Sequence, residues 1–289
     1  REAIVLKNIK VGANGGTGMQ DLFGQDPKCR VEKLTERITP YGGPVIYYRV
    51  TREVKPGEAV DIYFLSRHLS SGVYLLPHEL EWQAYMYTLL RLVGVDCILG
   101  TSAVGAIYYE TGGYRQGDII APRFADDYIG DPYTFEMRGF SDKYAFHRPS
   151  EWLLCPYLQG LLAASTTTSS TAVWANSVRG PRFETGRQIQ RRKRDGVHLV
   201  GMPTAFPEAV LAGEGAVPYG LLCGVSNMAP AKHSGRAVGE VMAEMQEPML
   251  RAILDVAYKL TYTDTEHPLD CPCRQDREKS VFDILGDPS

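Results

Sequence analysis

The stretch Val95-Asp96-Cys97-Ile98-Leu99-Gly100-Thr101-Ser102-Ala103-Val104-Gly105 decides the fold class. Residues 95–99 form a short, mostly apolar run, as expected of a strand buried on both faces. Residues 100–105 are small and carry two hydroxyls, so the run reads as a strand opening into a small-residue loop at its carboxyl end. Just upstream, Leu80, Ala84, Tyr87 and Leu90 recur at helical spacing across residues 77–92 until Gly94 breaks the pattern. A helix therefore feeds a buried strand, the basic step of an α/β fold.

Outward from that unit the alternation continues. Residues 45–50 and 59–65 read as a hairpin joined at Lys55-Pro56-Gly57, followed by a polar segment over 66–71. Residues 4–7 are β-like, and the cluster Asn14-Gly15-Gly16-Thr17-Gly18 reads as a turn that ends a first strand. Downstream, Gly117-Asp118 precedes a strand-like run over 119–122, and residues 163–172 hold a Ser/Thr-rich stretch that suits a loop or a polar strand. Residues 189–194 read Ile-Gln-Arg-Arg-Lys-Arg, a basic patch read as the solvated face of a helix that starts after Thr185. Residues 197–201 read as a strand, 207–213 as a helix, 219–225 as a strand ending at Ser226-Asn227, and 240–260 as a long helix. These signals imply one α/β domain over residues 1–262, its ligand site at the loop ends of the strands, and a polar C-terminal extension over 263–289.

Composition narrows the function classes. The 289 residues are 44% hydrophobic, 22% charged and 10% aromatic, a globular composition long enough to bury a full core. A net charge of −3 provides no overall positive field for the phosphate backbone of a nucleic acid. No apolar run approaches the roughly 20 residues of a membrane span, and no signal-peptide pattern stands at the N-terminus, so the expectation is a soluble, cytoplasmic protein without a membrane partner. The six cysteines are scattered apart from Cys271-Pro272-Cys273, which predicts free, reduced thiols rather than a disulfide framework. His267 and Asp270 flank that pair, but a one-residue spacing is not that of the common zinc sites, and no metal is expected.

Three loop clusters suit an anionic ligand. Gly15-Gly16-Thr17-Gly18 offers backbone N–H groups and a hydroxyl to an anion. Arg67-His68, at the end of an apolar strand, sets a guanidinium suited to two-pronged oxyanion contact beside an imidazole that donates when protonated. Residues 101–105 follow a buried strand, so their hydroxyls and N–H groups would face the crevice.

The order of several short motifs resembles the purine nucleoside phosphorylase and methylthioadenosine phosphorylase family. The signature pair is Gly180-Pro181-Arg182-Phe183-Glu184-Thr185 and Val200-Gly201-Met202 with Pro207-Glu208-Ala209-Val210-Leu211-Ala212 beyond it. Gly16-Thr17-Gly18, Thr39-Pro40-Tyr41-Gly42, Arg67-His68, Pro77-His78-Glu79, residues 101–105, Gly117-Asp118, Ser141-Asp142-Lys143-Tyr144 and Val225-Ser226-Asn227 follow the family's order. The resemblance spans about residues 12–260.

That resemblance implies a three-layer α/β/α fold with a mixed central sheet, assembled as a homotrimer or a dimer of trimers. It implies cleavage of a purine nucleoside by inorganic phosphate, a co-substrate, to free base and ribose 1-phosphate, with no cofactor. Thr17, Arg67, His68, Ser102, Ala103 and Thr204 match phosphate positions; Met202 lies under the ribose; Phe183, Glu184 and Asn227 surround the base. Asn227, Glu184 and His68 are the expected catalytic groups. Glu184 can accept from the N1–H that only a 6-oxopurine carries, and the Asn227 amide can donate to purine N7 and the 6-oxygen, so inosine or guanosine is the expected substrate. The alternatives are 5′-methylthioinosine or 5′-methylthioadenosine phosphorolysis, or nucleoside binding without reaction.

The chain also departs from the family. Between Met202 and Pro207 it has one residue too many. Counted forward from Met202, Pro203 takes a hydroxyl position; counted back from Pro207, Thr204 keeps the first hydroxyl place, Ala205 loses the second and Pro203 displaces the Met, so either way one phosphate contact is lost. Ala175 stands where some relatives have a sugar-contacting Tyr, and His233 does not align convincingly with a 5′-hydroxyl His, which leaves the 5′ group open.

Overall fold

The computed structural model describes residues 9–16, 23–36, 38–69, 71–110, 113–135, 153–166, 171–230, 237–262, 269, 271 and 274. Strand β5 (Cys97–Ile107) is its axis. Along one edge β5 pairs in parallel with β10 (Tyr219–Ala229) from Ile98 to Ile107. Along the other it pairs first with β1 (Val11–Gly15), in parallel as far as Gly100, and then with β9 (Leu199–Gly201), antiparallel at Gly105 and Ala106. Outside β1 lie β4 (Glu58–Ser66), β3 (Val45–Lys55) and β2 (Cys29–Glu36); outside β9 lie β8 (Val173–Asn176) and β7 (Phe124–Asp127). The short β6 (Ile119–Ile120) runs antiparallel to β10. Parallel and antiparallel pairs share one sheet, so the sheet is mixed as expected.

Two layers of helix cover it. On one face α1 (Trp82–Tyr87), which widens into a π-helical turn over Thr88–Val93 and stops at the left-handed Gly94, packs with α4 (Ala205–Glu214). On the other, α2 (Pro156–Ala164) packs with α5 (Val238–Thr261). The period-two alternation of a strand divides β5 between these cores: Ile98 and Val104 face the α1 side, Cys97 and Leu99 the α5 side. Helix α3 (Gly186–Arg194) lies beyond, its apolar anchor Ile189 buried with Ile107 and Val200 while most of its basic residues stay in solvent. The described residues of the C-terminal extension pack back on the domain, Leu269 and Cys271 in the α5-side core and Arg274 on Asp96 at 3.1 Å.

Several expectations change. Residues 4–7 lie outside the described residues, and the first described strand is Val11–Gly15, so Asn14-Gly15 is the end of a strand and not a turn. Both neighbours of β1 pair with Asn14, which holds it extended. Residues 100–105 likewise continue as strand because β10 bonds them throughout; their small size serves close packing instead of a turn. β10 runs on through Ser226-Asn227 to Ala229, with a bulge at Ser226. Cys29, Cys97, Cys155 and Cys223 are free as expected, but Cys271 is disulfide-bonded, so uniformly reduced thiols are not what the structure holds.

Gly100 shows why size matters. A Cβ built there would lie 1.8 Å from the Tyr219 hydroxyl and 2.6 Å from its ring carbon. Both residues sit in the centre of the sheet and neither can withdraw. Gly100→Ala is expected to cost about 3 kcal/mol or more of unfolding free energy, checked by chemical denaturation. An unchanged midpoint would show that the two strands separate freely.

Candidate active site

Between Gly100, where β1 leaves β5, and Gly105, where β9 joins it, one edge of β5 has no strand partner among the described residues. A cavity of about 510 Å³ occupies this gap and the ends of the neighbouring strands. Ala103 is the only residue of β5 open to it in full, flanked by Ser102 and Val104. The backbone that a continuous sheet would have consumed instead borders the cavity.

Arg67 follows directly on β4, its backbone N–H bonded to the Gly15 carbonyl at 3.0 Å. Its side chain is 2% exposed yet lines the cavity. Nε donates to Glu208 Oε1 at 2.6 Å, Nη2 to Oε2 at 3.0 Å, and Nη1 to the Thr101 carbonyl at 3.1 Å. The Tyr219 hydroxyl donates to the same Oε2 at 2.7 Å. Across from Arg67 the hydroxyls of Ser102 and Thr204 stand 3.0 Å apart.

The extra residue near Pro203 resolves simply. The Thr204 N–H donates to the Met202 carbonyl at 2.7 Å, a three-residue turn around Pro203, which needs no N–H there. Pro203 is buried, and Met202 and Thr204 both line the cavity. The turn absorbs one residue, so Met202 and the Thr204 hydroxyl both stay on the cavity wall, while Ala205 is buried and leaves the second hydroxyl place unfilled.

His68 is held by a loop that closes on it. Its Nδ1 lies 2.7 Å from the Leu75 carbonyl, which can only accept, so Nδ1 carries the proton. Leu75 N–H donates back to the His68 carbonyl at 2.9 Å, and the Tyr74 ring stacks on the imidazole at 5.3 Å. Burial holds the His68 pKa below its ordinary value, with the Arg67 guanidinium acting the same way against the Leu75 carbonyl and Glu208. At neutral pH the ring is thus uncharged and Nε2 presents a lone pair.

At the other end Thr185 caps α3, accepting from Gln188 N–H at 3.3 Å while its own N–H donates to Gln188 Oε1 at 2.9 Å. This reciprocal cap sets Phe183 and Glu184 at the cavity wall just ahead of the helix. Gly180, with φ of +78°, makes the approach possible, since a Cβ there would meet Met202 Sδ at 2.7 Å. Burial raises the Glu184 pKa, opposed by its backbone N–H, the Ser177 hydroxyl, Arg192 and Arg182. Opposite, the bulge at Ser226 turns both Ser226 and Asn227 to the cavity. The Ser226 hydroxyl lies 3.0 Å from Asn227 Oδ1, and Asn227 Nδ2 donates to the Met228 carbonyl at 3.2 Å.

The structure thus brings together Arg67, His68, Ser102, Ala103, Thr204, Met202, Phe183, Glu184 and Asn227. Thr17 lies outside the described residues, although its neighbour Gly16 lines the cavity; Ser141-Asp142-Lys143-Tyr144 and His233 lie outside them too. Ala175 is fully buried with Ile107 and Val200 and does not reach the cavity. Sequence reading missed one wall: Val238, Gly239, Met242, Gln246 and Met249, one stripe of α5 at helical spacing. No group of three or more His, Cys, Asp or Glu among the described residues is placed to hold a metal ion, and no helix among them is long and apolar enough to cross a membrane.

A cavity with a guanidinium and two hydroxyls at one end and polar and aromatic side chains at the other, set at the strand ends of a mixed α/β sheet, has the build of an enzyme site. The sequence matches the Phosphorylase superfamily over residues 71–257, and the chain belongs to that family. It is a phosphorylase of the purine nucleoside type, a pentosyltransferase. A probable S-methyl-5′-thioinosine phosphorylase of Methanopyrus kandleri is 32% identical over 273 residues, 92% of this chain and 96% of that protein. The 6-oxopurine nucleoside phosphorylase of Pyrococcus furiosus is 28% identical over 257 residues, 85% of this chain and 91% of the relative. In fold, the chain is similar to a crystal structure of a double mutant of adenosine/methylthioadenosine phosphorylase from Schistosoma mansoni in complex with adenine, with TM-score 0.71, 23% identity, and coverage of 95% and 98% of the two chains.

The state of His68 has a measurable consequence for stability. With the folded pKa held below the usual 6.5, the unfolded chain takes up its proton first as pH falls. Stability is therefore full above pH 6.5 and declines below it until the folded pKa is passed. Denaturation midpoints from pH 8 to 5 should fall less steeply in His68→Gln, the remaining slope including His198, whose pKa burial also lowers. Equal slopes would show that His68 is not buried as a neutral ring.

Proposed function

We propose that the protein cleaves 6-oxopurine nucleosides with inorganic phosphate, giving free base and ribose 1-phosphate. The observation that carries this reading is the presence of Glu184 and Asn227 in the same cavity as Arg67, His68, Ser102 and Thr204. A phosphate oxygen held at the Arg67 end attacks C1′ as the bond to the purine nitrogen breaks, and the bonding pair leaves with the base. Positive charge grows on the sugar and negative charge on the purine, so groups at both ends act in the transition state. The Asn227 amide donates to the purine as its charge builds. Ser102 and Thr204 donate to phosphate, and Met202 supplies an apolar floor for the ribose.

Glu184 sets the choice of base. As a carboxylate it accepts from the N1–H of hypoxanthine or guanine, whereas adenine N1 would oppose one acceptor with another; each buried unpaired group costs about 1–3 kcal/mol. A second reading concerns the 5′ end. Val238, Met242 and Met249 give the α5 wall an apolar character that suits a 5′-methylthio group, so 5′-methylthioinosine joins inosine and guanosine as a candidate.

The deciding experiment is chromatography of free base released from inosine, guanosine, adenosine, methylthioinosine and methylthioadenosine, with and without phosphate. Phosphate-dependent release from the 6-oxo compounds is expected, and the preferred 5′ group separates the two readings. No release from any of them would overturn both. Asn227→Ala should lower kcat/KM by on the order of 10²-fold with the fold intact; unchanged kinetics would remove its role.

The raised pKa of Glu184 adds a pH signature. As pH falls toward that pKa the protonated carboxyl becomes a donor that adenine N1 can accept. The ratio of 6-oxo to 6-amino activity should therefore fall between pH 8 and 5 in the natural protein and stay flat in Glu184→Gln. Parallel profiles would assign base selection elsewhere.

A further inference from the structure

Glu208 is 1% exposed and is not part of the cavity wall, so it touches no ligand directly. Its two carboxylate oxygens are nonetheless committed to Arg67 Nε and Nη2, and Oε2 also accepts from Tyr219. Four separate elements meet here: Arg67 after β4, the Thr101 carbonyl in β5, Glu208 in α4 and Tyr219 at the start of β10. A buried ion pair is a poor device for stability, because apolar residues of like volume often serve as well or better. The absence of a side chain at Gly100 is what admits the Tyr219 hydroxyl. The core therefore gives up packing volume at its centre to hold one guanidinium that borders the cavity.

We propose that Glu208 and Tyr219 are positioning residues: together they fix the plane of the Arg67 guanidinium at the cavity and so set the affinity of this end for inorganic phosphate. This rests on the proposed function in taking phosphate as the anion. An arginine on its flexible stem would otherwise lose rotamer freedom each time an anion bound. Side-on pairing with Glu208 removes that cost in advance and aims the donors, while Tyr219 prevents the carboxylate from rotating away.

The test uses two variants that keep volume or charge, Tyr219→Phe and Glu208→Asp. The dissociation constant for inorganic phosphate is measured by calorimetry without nucleoside, and KM is measured separately for phosphate and for inosine. Each variant should weaken phosphate binding about tenfold, as loss of an outer-layer partner does at comparable sites, with the inosine KM within about twofold. The thermal midpoint serves as the structural control. Phosphate affinity unchanged in both variants overturns the inference, as does an equal rise in both KM values, which would mark a merely structural role. Wild-type protein that binds phosphate but releases no base sinks the proposed function and leaves this inference to be decided by the ratio of dissociation constants. Wild-type protein that binds no phosphate overturns both.

Discussion

The pairing of β5 is the constraint from which the rest follows. Its β10 edge is bonded along nearly its full length, but its other edge passes from β1 to β9 across a gap from Thr101 to Val104. Backbone groups in such a gap must find partners other than a strand. The Thr101 carbonyl accepts from Arg67, and beside it the Ser102 side-chain hydroxyl meets that of Thr204 from the loop ahead of α4. The gap is thus bordered by side chains that follow β4 and precede α4 and not by another strand, and the cavity stands beside it at the strand ends. The bulge at Ser226 on β10 sets Ser226 and Asn227 at the wall of the same cavity.

Charge in the cavity is arranged so that little of it is uncompensated. Arg67 is neutralised by Glu208, His68 is kept neutral by burial, and Glu184 is pushed toward its neutral form while Arg192 and Arg182 oppose that shift. An isolated buried charge costs several kcal/mol, so Arg67 is paired with Glu208 and His68 is held as a neutral ring. With Arg67 paired, the polar groups left at this end of the cavity are oriented donors more than a net positive charge. Oriented dipoles need no reorganisation during reaction.

Much of this was legible in the sequence, and the failures share a cause. The Lys55-Pro56-Gly57 hairpin and the capped helix after Thr185 are local signals and stand where expected; the helix stopped by Gly94 ends as expected but begins at Trp82, because Pro77–Glu79 form a separate 3₁₀ turn and Leu80 is extended. The anion-end residues and Phe183, Glu184 and Asn227 were legible because short motifs mark them. What sequence misread was small residues: Gly100 to Gly105 and Asn14-Gly15 look like turns but are strand, held by pairing with β4, β5 and β10, and at Gly100 and Gly105 a Cβ would crowd Tyr219 and Asn227. That reason is tertiary and leaves no periodic trace. The α5 wall was missed for a related reason, since Val238, Met242 and Met249 carry an ordinary core pattern and only the sheet's gap makes some of that face a cavity wall.

Pro203 shows how an irregularity that threatens a site can preserve it. Inserting a residue into a strand-to-helix loop ordinarily shifts everything on one side by a step, and on a wall only a few residues long that would replace either the apolar floor or the hydroxyl. A turn closed by the bond from Thr204 N–H to the Met202 carbonyl spans the added residue within a single tight bend. Proline suits the middle of such a bend because its φ is already restricted and it has no N–H to leave unbonded. Its ring is buried, so the insertion is absorbed on the core side while Met202 and Thr204 keep their places on the cavity side. Thr204 also meets Ser102 across the gap in β5, so the hydroxyl pair that closes the sheet depends on that one compact turn.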